Sequence, residues 1–440
     1  MQKKVQINEA SSIDLKEKMA FSGISFGSTL ISESLATFAL YYFTDILLLP
    51  AASISIILFS VHMFDSAVDP FIGYYIDKRT TRHGKYLGYI YYWTPVFCML
   101  YIGLFLPISF SRPIRVALCF ILYMLFSAAF SIAQVARNPL LVAMTCDQQE
   151  RQLLNTIRTT SGITATIVIQ YFMLKMVSGL GGESEQLGFT YTAIIFSAVA
   201  VLVILTGVRA IKERNIAKNN HMGMLESLKL VMKSKEVVFI FLMIFANYTG
   251  ISVKAQAAIY YMKYFIDRQD LTSVFLLVGI GSSLLMQPVI VYAAKRYSNQ
   301  RLIFTGSIGG ALSMLLIGFA DTSLPLLMCG NILFGITTAF PANLITTYTA
   351  NISDVFSKEQ DASFNAIINS TVSLAGRMGY SVAGAIIALV LHFSAYQPNT
   401  EQTGSALFGI QVTFVLITCL SYVGVAVSVA CSQKLVKSKL

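Results

Sequence analysis

Two aspartates, Asp65 and Asp69, are the residues of this sequence best suited to chemistry. They lie four positions apart in an apolar stretch, so a helix places both carboxylates on one face. An acid at mid-membrane depth costs about 2.5–3.5 kcal/mol on insertion scales and is kept where it has a partner or a cavity. Two carboxylates one turn apart are expected to share a proton or to hold a cation between their oxygens. The alternative is structural: each forms a buried ion pair, for instance with Arg137 or Arg158.

The composition indicates that these acids belong to a membrane protein. Of the 440 residues, 55% are hydrophobic and 12% are charged, and the mean hydropathy is +0.66. Soluble domains carry about 25% charged residues. A spanning helix needs about 20 apolar residues. The sequence predicts an all-α protein with twelve spans, at 21–49, 52–77, 86–108, 114–145, 153–178, 188–210, 236–266, 271–294, 300–320, 323–350, 362–394 and 404–431.

Basic residues are distributed unevenly between the loops, which predicts the orientation of the chain. Lysine and arginine are concentrated before span 1 and after spans 2, 4, 6, 8 and 12. The positive-inside rule then makes both termini cytoplasmic, in a bacterial-type inner (plasma) membrane. The basic stretch 211–235 is a predicted cytoplasmic linker between an N-terminal six-helix bundle (1–210), which carries the carboxylate pair, and a C-terminal six-helix bundle (236–440). Secondary transporters have this plan, with the site between the halves.

The remaining composition excludes other function classes. The net charge of +10 is spread over alternate loops rather than one basic patch, so no nucleic-acid partner is expected. The six cysteines show neither C-x-x-C spacing nor a metal-type pairing with the four histidines. The sequence has no Walker-type phosphate loop, no H-E-x-x-H and no G-x-S-x-G motif. We therefore expect neither ATP-driven transport nor enzyme activity, and no cofactor.

A glycine, a third aspartate and a basic cluster follow the carboxylate pair at the end of span 2. The string reads Asp65-x-x-x-Asp69-Pro70-x-x-Gly73-x-x-x-Asp77-x-x-Thr80-x-Arg82-x-Gly84-Lys85. Glycine permits close helix approach, and basic residues anchor at anionic headgroups. The string resembles that of the glycoside–pentoside–hexuronide:cation symporters (melibiose permease-like) of the major facilitator superfamily. Further matches are Tyr42-x-Thr44-Asp45, Asp147-x-x-Glu150-Arg151, Arg158 and Arg377, where the family usually has lysine.

The resemblance implies a major facilitator fold, with twelve transmembrane helices in two six-helix bundles, and roles for individual residues. Carboxylates at Asp65 and Asp69 bind the coupling cation in this family, together with a hydroxyl to which Ser131 corresponds. The cation is a proton or sodium, so sodium at Asp65 and Asp69 is one expectation. Arg158 and Arg377 match basic residues that serve sugar binding. The residues that match the conformational gating elements are Gly73, Asp77, Arg82, Asp147 and Arg151.

The sequence departs from the family pattern at three positions. Thr29 and Gln134 occupy the positions at which the family has two acids that bind the sugar. Because carboxylates are strong acceptors for sugar hydroxyls, losing both argues against the typical galactosides. Val68 replaces a residue that supplies an amide to sodium in some members, which favours protons.

Other polar residues are available to line a cavity between the two halves. Glu33 lies one turn beyond Thr29 on the same helix face. The other candidates for substrate binding are Gln134, Arg137, Asn138, Arg158, Lys254 and Arg377. The basic members favour an anionic or zwitterionic solute, which guanidinium groups hold bidentately. Each also has a local alternative, such as Arg137 or Lys254 paired with a nearby acid.

The leading hypothesis is a symporter coupled to protons or sodium, working by alternating access as a monomer in the lipid bilayer. Its solute is a glycoside or a related sugar derivative, with anionic forms included. One alternative is a facilitator or exporter of an amphipathic or lipid-like solute, and another is a transport-dead membrane sensor. The sequence leaves the choice of solute and of cation open.

Overall fold

Helices account for nearly all of the described chain. The computed structural model describes residues 13–79, 81–107, 110–145, 147–214, 235–320, 323–357 and 363–437. The first half contains α1 (Leu15–Tyr41), α2 (Ala51–Lys78), α3 (Leu87–Leu104), α4 (Arg112–Met144), α5 (Gln148–Gly181) and α6 (Glu185–Ala210). The second half contains α7 (Lys235–Tyr260), α8 (Thr272–Leu285), α9 (Gln287–Arg296), α10 (Asn299–Gly318), α11 (Leu324–Ser357), α12 (Ser363–Phe393), α13 (Gly404–Gln411) and α14 (Thr418–Lys437).

Three π-helical turns extend or connect these helices. Tyr42–Ile46 continues α1, Tyr261–Phe265 continues α7, and Val412–Ile417 joins α13 to α14. After the first turn the amide of Leu47 donates to the carbonyl of Tyr42, and after the second the amide of Ile266 donates to Tyr261. Each of these two helix ends is followed by a residue of positive φ, Leu48 at 54° and Asp267 at 56°.

Ten helical segments of the described chain are long and apolar enough to cross a membrane. They are Leu87–Leu104, Arg112–Leu141, Leu153–Gly181, Glu185–Ala210, Val238–Phe265, Gln269–Arg296, Asn299–Gly318, Leu324–Thr349, Leu374–Phe393 and Gly404–Ser432. In α2 the apolar part is shorter, Ala51–Asp65. Helix α1 carries many serines and Glu33, and it packs against α5, α6 and α7 in the interior, so it is polar where it faces protein rather than lipid. The chain is thus an all-α, multi-pass membrane protein.

The helix bounds agree with the predicted spans except at a few places. Helix α1 begins at Leu15, before the predicted start at 21, because Glu17 in its first turn is buried and ion-paired with Arg214. The predicted span 271–294 is broken between α8 and α9, next to Pro288, which has no amide hydrogen for the helix ladder. Of the predicted linker 211–235, residues 215–234 lie outside the described chain.

The helices of each half pack on one another, and within the described chain the two halves meet along three seams. Within the first half α1 packs on α5 and α6, and α3 packs on α4 and α6; within the second, α7 packs on α12 and α14, and α10 on α11. The seams between the halves are α2 with α12, α5 with α8, and α1 with α7. Because α2 and α12 share a seam, the carboxylate pair lies where the halves meet.

Close packing depends on glycine at several of these contacts. A Cβ on Gly306 of α10 would lie 2.6 Å from the carbonyl oxygen of Thr337 in α11, and one on Gly207 of α6 would lie 2.8 Å from the carbonyl oxygen of Ala20 in α1. Small residues let helix backbones approach in membranes, where dispersion contacts rather than hydrophobic burial drive association.

We name the two ends of the helix bundle by the residues they carry. The terminal end comprises residues 13–18, 79, 81–86, 145, 147–151 and 210–214, and the distal end comprises residues 42–50, 104–107, 110–112, 182–184, 265–271 and 394–403. These segments are joined at each end by hydrogen bonds, such as Lys18 to Glu150 at the terminal end and Tyr42 to the carbonyl of Leu106 at the distal end.

Candidate functional site

The carboxylates of Asp65 and Asp69 lie on the face of α2 that is turned towards α4 and α12. Ser127 of α4 donates a hydrogen bond to Oδ2 of Asp65, and Arg377 of α12 forms an ion pair with Oδ2 of Asp69. Oδ1 of each aspartate is buried without a hydrogen-bond partner in the described chain. A buried acceptor without a donor costs about 1–3 kcal/mol. The pair therefore presents two oxygens that a proton or a metal cation would satisfy.

Ser131, the predicted third ligand, is placed differently. It is buried, but within the described residues no hydrogen bond joins it to either aspartate. Ser127, one turn earlier on the same face of α4, makes the contact with Asp65 instead. The sequence signal for Ser127 was present, since a hydroxyl four residues before Ser131 lies on the same face.

The alternative of an ion pair between helices is met at Asp69, although Arg137 and Arg158 are not its partners within the described chain. Arg377, predicted to bind substrate, is the basic partner, and it links the first half to the second through Asp69. Its guanidinium also lies close enough to Asp65 to interact electrostatically. The ion pair between Asp69 and Arg377 thus connects the carboxylate pair to the second half. An anionic solute can compete for Arg377, and a cation can compete for Asp69.

Arg137 and Arg158 lie near each other on α4 and α5. Their guanidinium groups are close enough to repel, and Nε of Arg137 is buried without a hydrogen-bond partner in the described chain. Arg158 donates to Asn155 at 2.8 Å. Of their predicted neighbours, Gln134 is half-buried and Asn138 is exposed.

A cavity of about 200 Å³ lies between the halves. Glu33 of α1 lines it from the first half, and Lys254 of α7 lines it from the second. Its other lining residues include hydroxyl, amide and aromatic groups: Thr37, Thr166, Gln170, Ser252, Phe334, Thr338, Tyr380 and Tyr422. Thr29 is half-buried one turn before Glu33, where its hydroxyl lies 3.6 Å from the position that a Cβ on Gly162 of α5 would take. The structure brings Glu33 and Lys254 together around one space.

Neither charged residue of the cavity has an ionic partner in the part of the chain that the structure describes. Glu33 makes no hydrogen bond or ion pair with another residue of the described chain, although Tyr248 and Tyr380 are near enough to interact with it electrostatically. Lys254 donates to Oδ1 of Asn331 at 2.8 Å, and its ammonium lies 5.3 Å and 5.2 Å from the ring centroids of Phe275 and Phe334. No carboxylate of the described residues lies within ion-pair distance of Lys254.

A cluster that the sequence does not predict joins the two halves at the distal end; we call it the distal gate (Asp45, Lys263, Tyr264, Tyr396 and Asn399). The Asp45 side chain has 0% exposure and pairs with Nζ of Lys263 at 3.2 Å. The hydroxyls of Tyr264 and Tyr396 donate to its carboxylate, and the amide of Asn399 donates to its backbone carbonyl at 2.6 Å. Asp45 belongs to the first half and its partners to the second, so the gate holds the halves together.

The predicted gating residues lie at the terminal end or approach it. Gly73 faces α4, but a Cβ there would lie 3.7 Å from Val135, an ordinary van der Waals distance, so the approach of α2 to α4 does not require glycine at this position. Asp147 and Arg151 shape the turn between α4 and α5: Oδ2 of Asp147 accepts from the amide of Glu150, and Nε of Arg151 donates to the carbonyl of Thr145. Arg82 is exposed, and the Asp77 side chain lies outside the described residues.

Two residues directly after α6 connect the helices of the first half at the terminal end. Glu213 accepts hydrogen bonds of 2.7 Å from the amides of Lys85, Tyr86 and Leu87 at the start of α3. A carboxylate is stabilised there by the unpaired amides and the helix dipole. Arg214 binds Glu17 with two hydrogen bonds of 2.7 Å, which raise the pKa of its guanidinium, and its amide donates to Ala143.

The carboxylate pair supplies few ligands for a cation. Among the described residues, no group of three or more histidine, cysteine, aspartate or glutamate side chains is placed to hold a metal ion. A sodium ion at Asp65 and Asp69 would thus take its further oxygens from the Ser127 hydroxyl, backbone carbonyls or water. A proton would need only one of the two unpartnered Oδ1 atoms.

Comparisons with known proteins place the chain among transporters. Residues 20–431 match the model of a family described as MFS/sugar transport protein. The isoprimeverose transporter of Lactiplantibacillus pentosus is 23% identical over 413 residues, which are 92% of this chain and 86% of that protein. A putative sulfoquinovose importer of Salmonella typhimurium is 22% identical over 413 residues, 92% of this chain and 87% of that protein. The crystal structure of the nucleoside transporter NupG shares the fold, with a TM-score of 0.67 and 15% identity over 95% of this chain and 99% of that chain.

Proposed function

The chain belongs to the family of MFS/sugar transport proteins, and we propose that it is a cation-coupled symporter of a glycoside or a related sugar derivative. Its relatives transport sugar-like small molecules and are not enzymes. Beyond family membership, we propose that transport by this chain is coupled to a cation and that its solute is a sugar derivative. Both termini are proposed to face the cytoplasm, across a bacterial-type inner membrane, with the protein acting as a monomer.

The ion pair between Asp69 and Arg377 is the observation that carries the proposal. It crosses the seam between the halves, next to Asp65, and both aspartates keep one buried oxygen without a partner. A proton or cation that neutralises Asp69 removes the charge that Arg377 pairs with, so cation binding changes the α2–α12 contact. A ligand shifts a conformational equilibrium by its differential affinity for the two states. Cation binding at this pair is therefore linked to the movement of one half against the other.

We propose a proton as the coupling cation in preference to sodium. The pair and Ser127 supply two unpartnered carboxylate oxygens and one hydroxyl, which suffices for a proton. Val68, one position before Asp69, brings no side-chain oxygen. Sodium remains the alternative cation at Asp65 and Asp69, and it needs oxygens from water or backbone.

Alternating access in this proposal uses the distal gate as the barrier on one side. With Asp45 bonded across the seam, the cavity between Glu33 and Lys254 is closed towards the distal end. Release of the gate opens that end while the terminal end closes. With cytoplasmic termini, the distal end faces the outside, and solute enters through it.

Uptake by inverted and right-side-out vesicles under an imposed proton or sodium gradient tests the proposal. Radiolabelled glycosides, uronates and sulfonated sugars are the solutes, and Asp65→Asn and Asp69→Asn are the variants. We expect accumulation in the wild type to require the proton gradient, and both variants to lose accumulation while retaining solute exchange. The matched control is Asp270→Asn, an exposed acid paired with Arg268 at the distal end.

Other outcomes of this experiment reject the proposal in specific ways. If accumulation depends on the sodium gradient at constant pH, the coupling cation is sodium and not the proton. Equilibration without accumulation in the wild type indicates a facilitator. The absence of transport for every solute, together with an unchanged cellular phenotype in Asp65→Asn, indicates a sensor.

A further inference from the structure

We propose that Lys254 binds an acidic group on the solute, so that the cavity selects a single-ring sugar bearing a carboxylate or sulfonate over its neutral counterpart. The inference rests on the proposed function, because it assigns a specificity-determining residue to the same transport site. Glu33, which lines the same cavity from α1, accepts hydrogen bonds from the ring hydroxyls of that solute.

Lys254 is built into the wall as a cation with free donors. An ammonium has three N–H donors, and within the described chain Lys254 uses one, to Asn331. Asn331 is itself fixed, because its Nδ2 donates to the carbonyl of Phe275 at 2.6 Å. The rings of Phe275 and Phe334 attract the ammonium as a cation but accept no conventional hydrogen bond. Two donors therefore remain for a solute.

Gly279 of α8 provides the space that holds the ammonium at the cavity. A Cβ at this position would lie 2.7 Å from Nζ of Lys254 and 2.9 Å from Oδ1 of Asn331. Any side chain at position 279 would push the ammonium away or break its bond to Asn331. Gly279 lines the same cavity as Lys254, so the open space adjoins the solute site.

The ammonium of Lys254 favours an acidic group on the solute. Glu33 and Lys254 are the charged residues among those that line the cavity, and within the described chain neither has an ionic partner. An uncompensated charge away from water is costly. A carboxylate or sulfonate at Lys254 compensates the ammonium, whereas a neutral sugar does not.

The size and polarity of the space define the rest of the solute. About 200 Å³ lies below the roughly 300–1,000 Å³ of drug-sized ligand pockets and suits a single sugar ring with a small substituent. Glu33 is an acceptor for hydroxyls, and Tyr380 and Phe334 supply aromatic surface. A carboxylate or sulfonate at the far end of the ring from Glu33 would meet Lys254.

Matched pairs of solutes test the inference with the purified full-length protein. The pairs are methyl β-glucoside with methyl β-glucuronide, methyl β-galactoside with methyl β-galacturonide, and methyl α-glucoside with its 6-sulfonate analogue. Binding is measured by thermal shift and by radioligand displacement in the wild type, Lys254→Gln and Gly279→Ser. The control is Lys175→Gln, which removes an exposed lysine of α5 that contacts only the ring of Tyr171 in the described structure.

In the wild type we expect the acidic member of at least one pair to bind ten times more tightly than its neutral member. Lys254→Gln should weaken binding of the acidic member by about 30-fold or more, as expected for truncating a buried charge pair, and leave the neutral member within about threefold. Gly279→Ser should change the same ratio in the same direction, and Lys175→Gln should leave it unchanged.

Two different failures are distinguishable. If neutral members bind as tightly as acidic ones in the wild type, or if the ratio is unchanged in Lys254→Gln, the inference is overturned while sugar transport stands. If no member of any pair binds the wild type, the proposed sugar function falls, and the inference with it. The ratio of the affinities for the acidic and neutral solutes in the wild type tests the inference even where a variant does not fold.

Discussion

Replacing Asp45 with asparagine tests whether this carboxylate keeps the distal gate closed. Asparagine has nearly the same shape but no charge, so it accepts weaker hydrogen bonds from Tyr264 and Tyr396. The larger effect falls on Lys263, which is 13% exposed and loses its only carboxylate partner in the described structure. Lys263 keeps its neutral contacts with Tyr41 and Asn399.

The contacts of Asp45 set the size of the expected shift. Truncating one partner of a buried, hydrogen-bonded charge pair costs about 2–5 kcal/mol. The retained neutral partners of Lys263 place Asp45→Asn in the lower half of that range, at about 3 kcal/mol. Each 1.4 kcal/mol is a factor of ten, so the ratio of closed to open gate should fall by about 100-fold.

Thiol labelling measures this ratio directly. Thr37 lines the cavity on α1 and is 5% exposed. Thr37→Cys, in a chain whose native cysteines are replaced, reports access to the cavity from the distal side by a membrane-impermeant maleimide. Asp45→Asn should speed labelling by up to about 100-fold, and Asp270→Asn should leave it unchanged, because exposed ion pairs contribute about 0–1 kcal/mol.

A second variant separates the lost charge pair from general damage. Asp45→Asn combined with Lys263→Met removes both charges, so no buried ammonium is left unpaired. This double variant should label more slowly than Asp45→Asn alone. Equal labelling rates for Asp45→Asn and Asp270→Asn would refute the assignment of Asp45 to the gate, and equal rates for the single and double variants would refute the charge-pair explanation.

Three further predictions concern stability. Arg377→Ala should lower the thermal stability of the purified protein by the equivalent of about 2–3 kcal/mol, the lower part of the range for breaking a charge pair, since the half-buried Asp69 is left unpaired. Adding Asp69→Asn should recover most of this loss, and additive losses in the double variant would show that the pair is not coupled. Glu213→Gln should cost about 1–2 kcal/mol by weakening three hydrogen bonds at the start of α3, seen as a lower melting temperature without a change in solute binding; an unchanged melting temperature contradicts the cap. Gly188→Ala should cost about 1–3 kcal/mol, because its Cβ would lie 2.8 Å from the carbonyl carbon of Val177, whereas Gly179→Ala, with nothing within 4 Å, should be neutral; equal effects would contradict the packing argument.

The helices were predictable because apolar length alone defines a span. A membrane leaves no backbone group to water, so each long apolar run becomes a helix. The features that were missed depend on distant residues. The start of α1 at Leu15 depends on Arg214, nearly 200 positions away, and the π-helical turns change the hydrogen-bond ladder without changing hydropathy.

The carboxylate face of α2 was equally predictable, because the spacing of Asp65 and Asp69 fixes it. Their partners were not, since which side chain of α4 or α12 reaches them depends on helix rotation and depth. The family resemblance therefore assigns the hydroxyl ligand to Ser131 and a substrate role to Arg377, whereas the fold brings Ser127 and Arg377 to the carboxylates. The sequence gives no sign of the partners of Asp45, because an acid at a helix end resembles any interfacial residue until the fold brings Lys263 and Tyr396 to it.

The two helix ends at the distal gate are copies of each other in backbone geometry. Positions that differ by 219 correspond, as Tyr42 with Tyr261 and Leu48 with Asp267, and both ends have the same π turn, the same carbonyl acceptors and the same positive φ. Asp45 then corresponds to Tyr264, and the two meet across the seam. The gate is thus an isologous contact, as in a twofold dimer, formed within one chain. An undiverged duplicate would place two acids or two tyrosines face to face there. The divergence of the two copies turns a symmetric contact into a donor facing an acceptor.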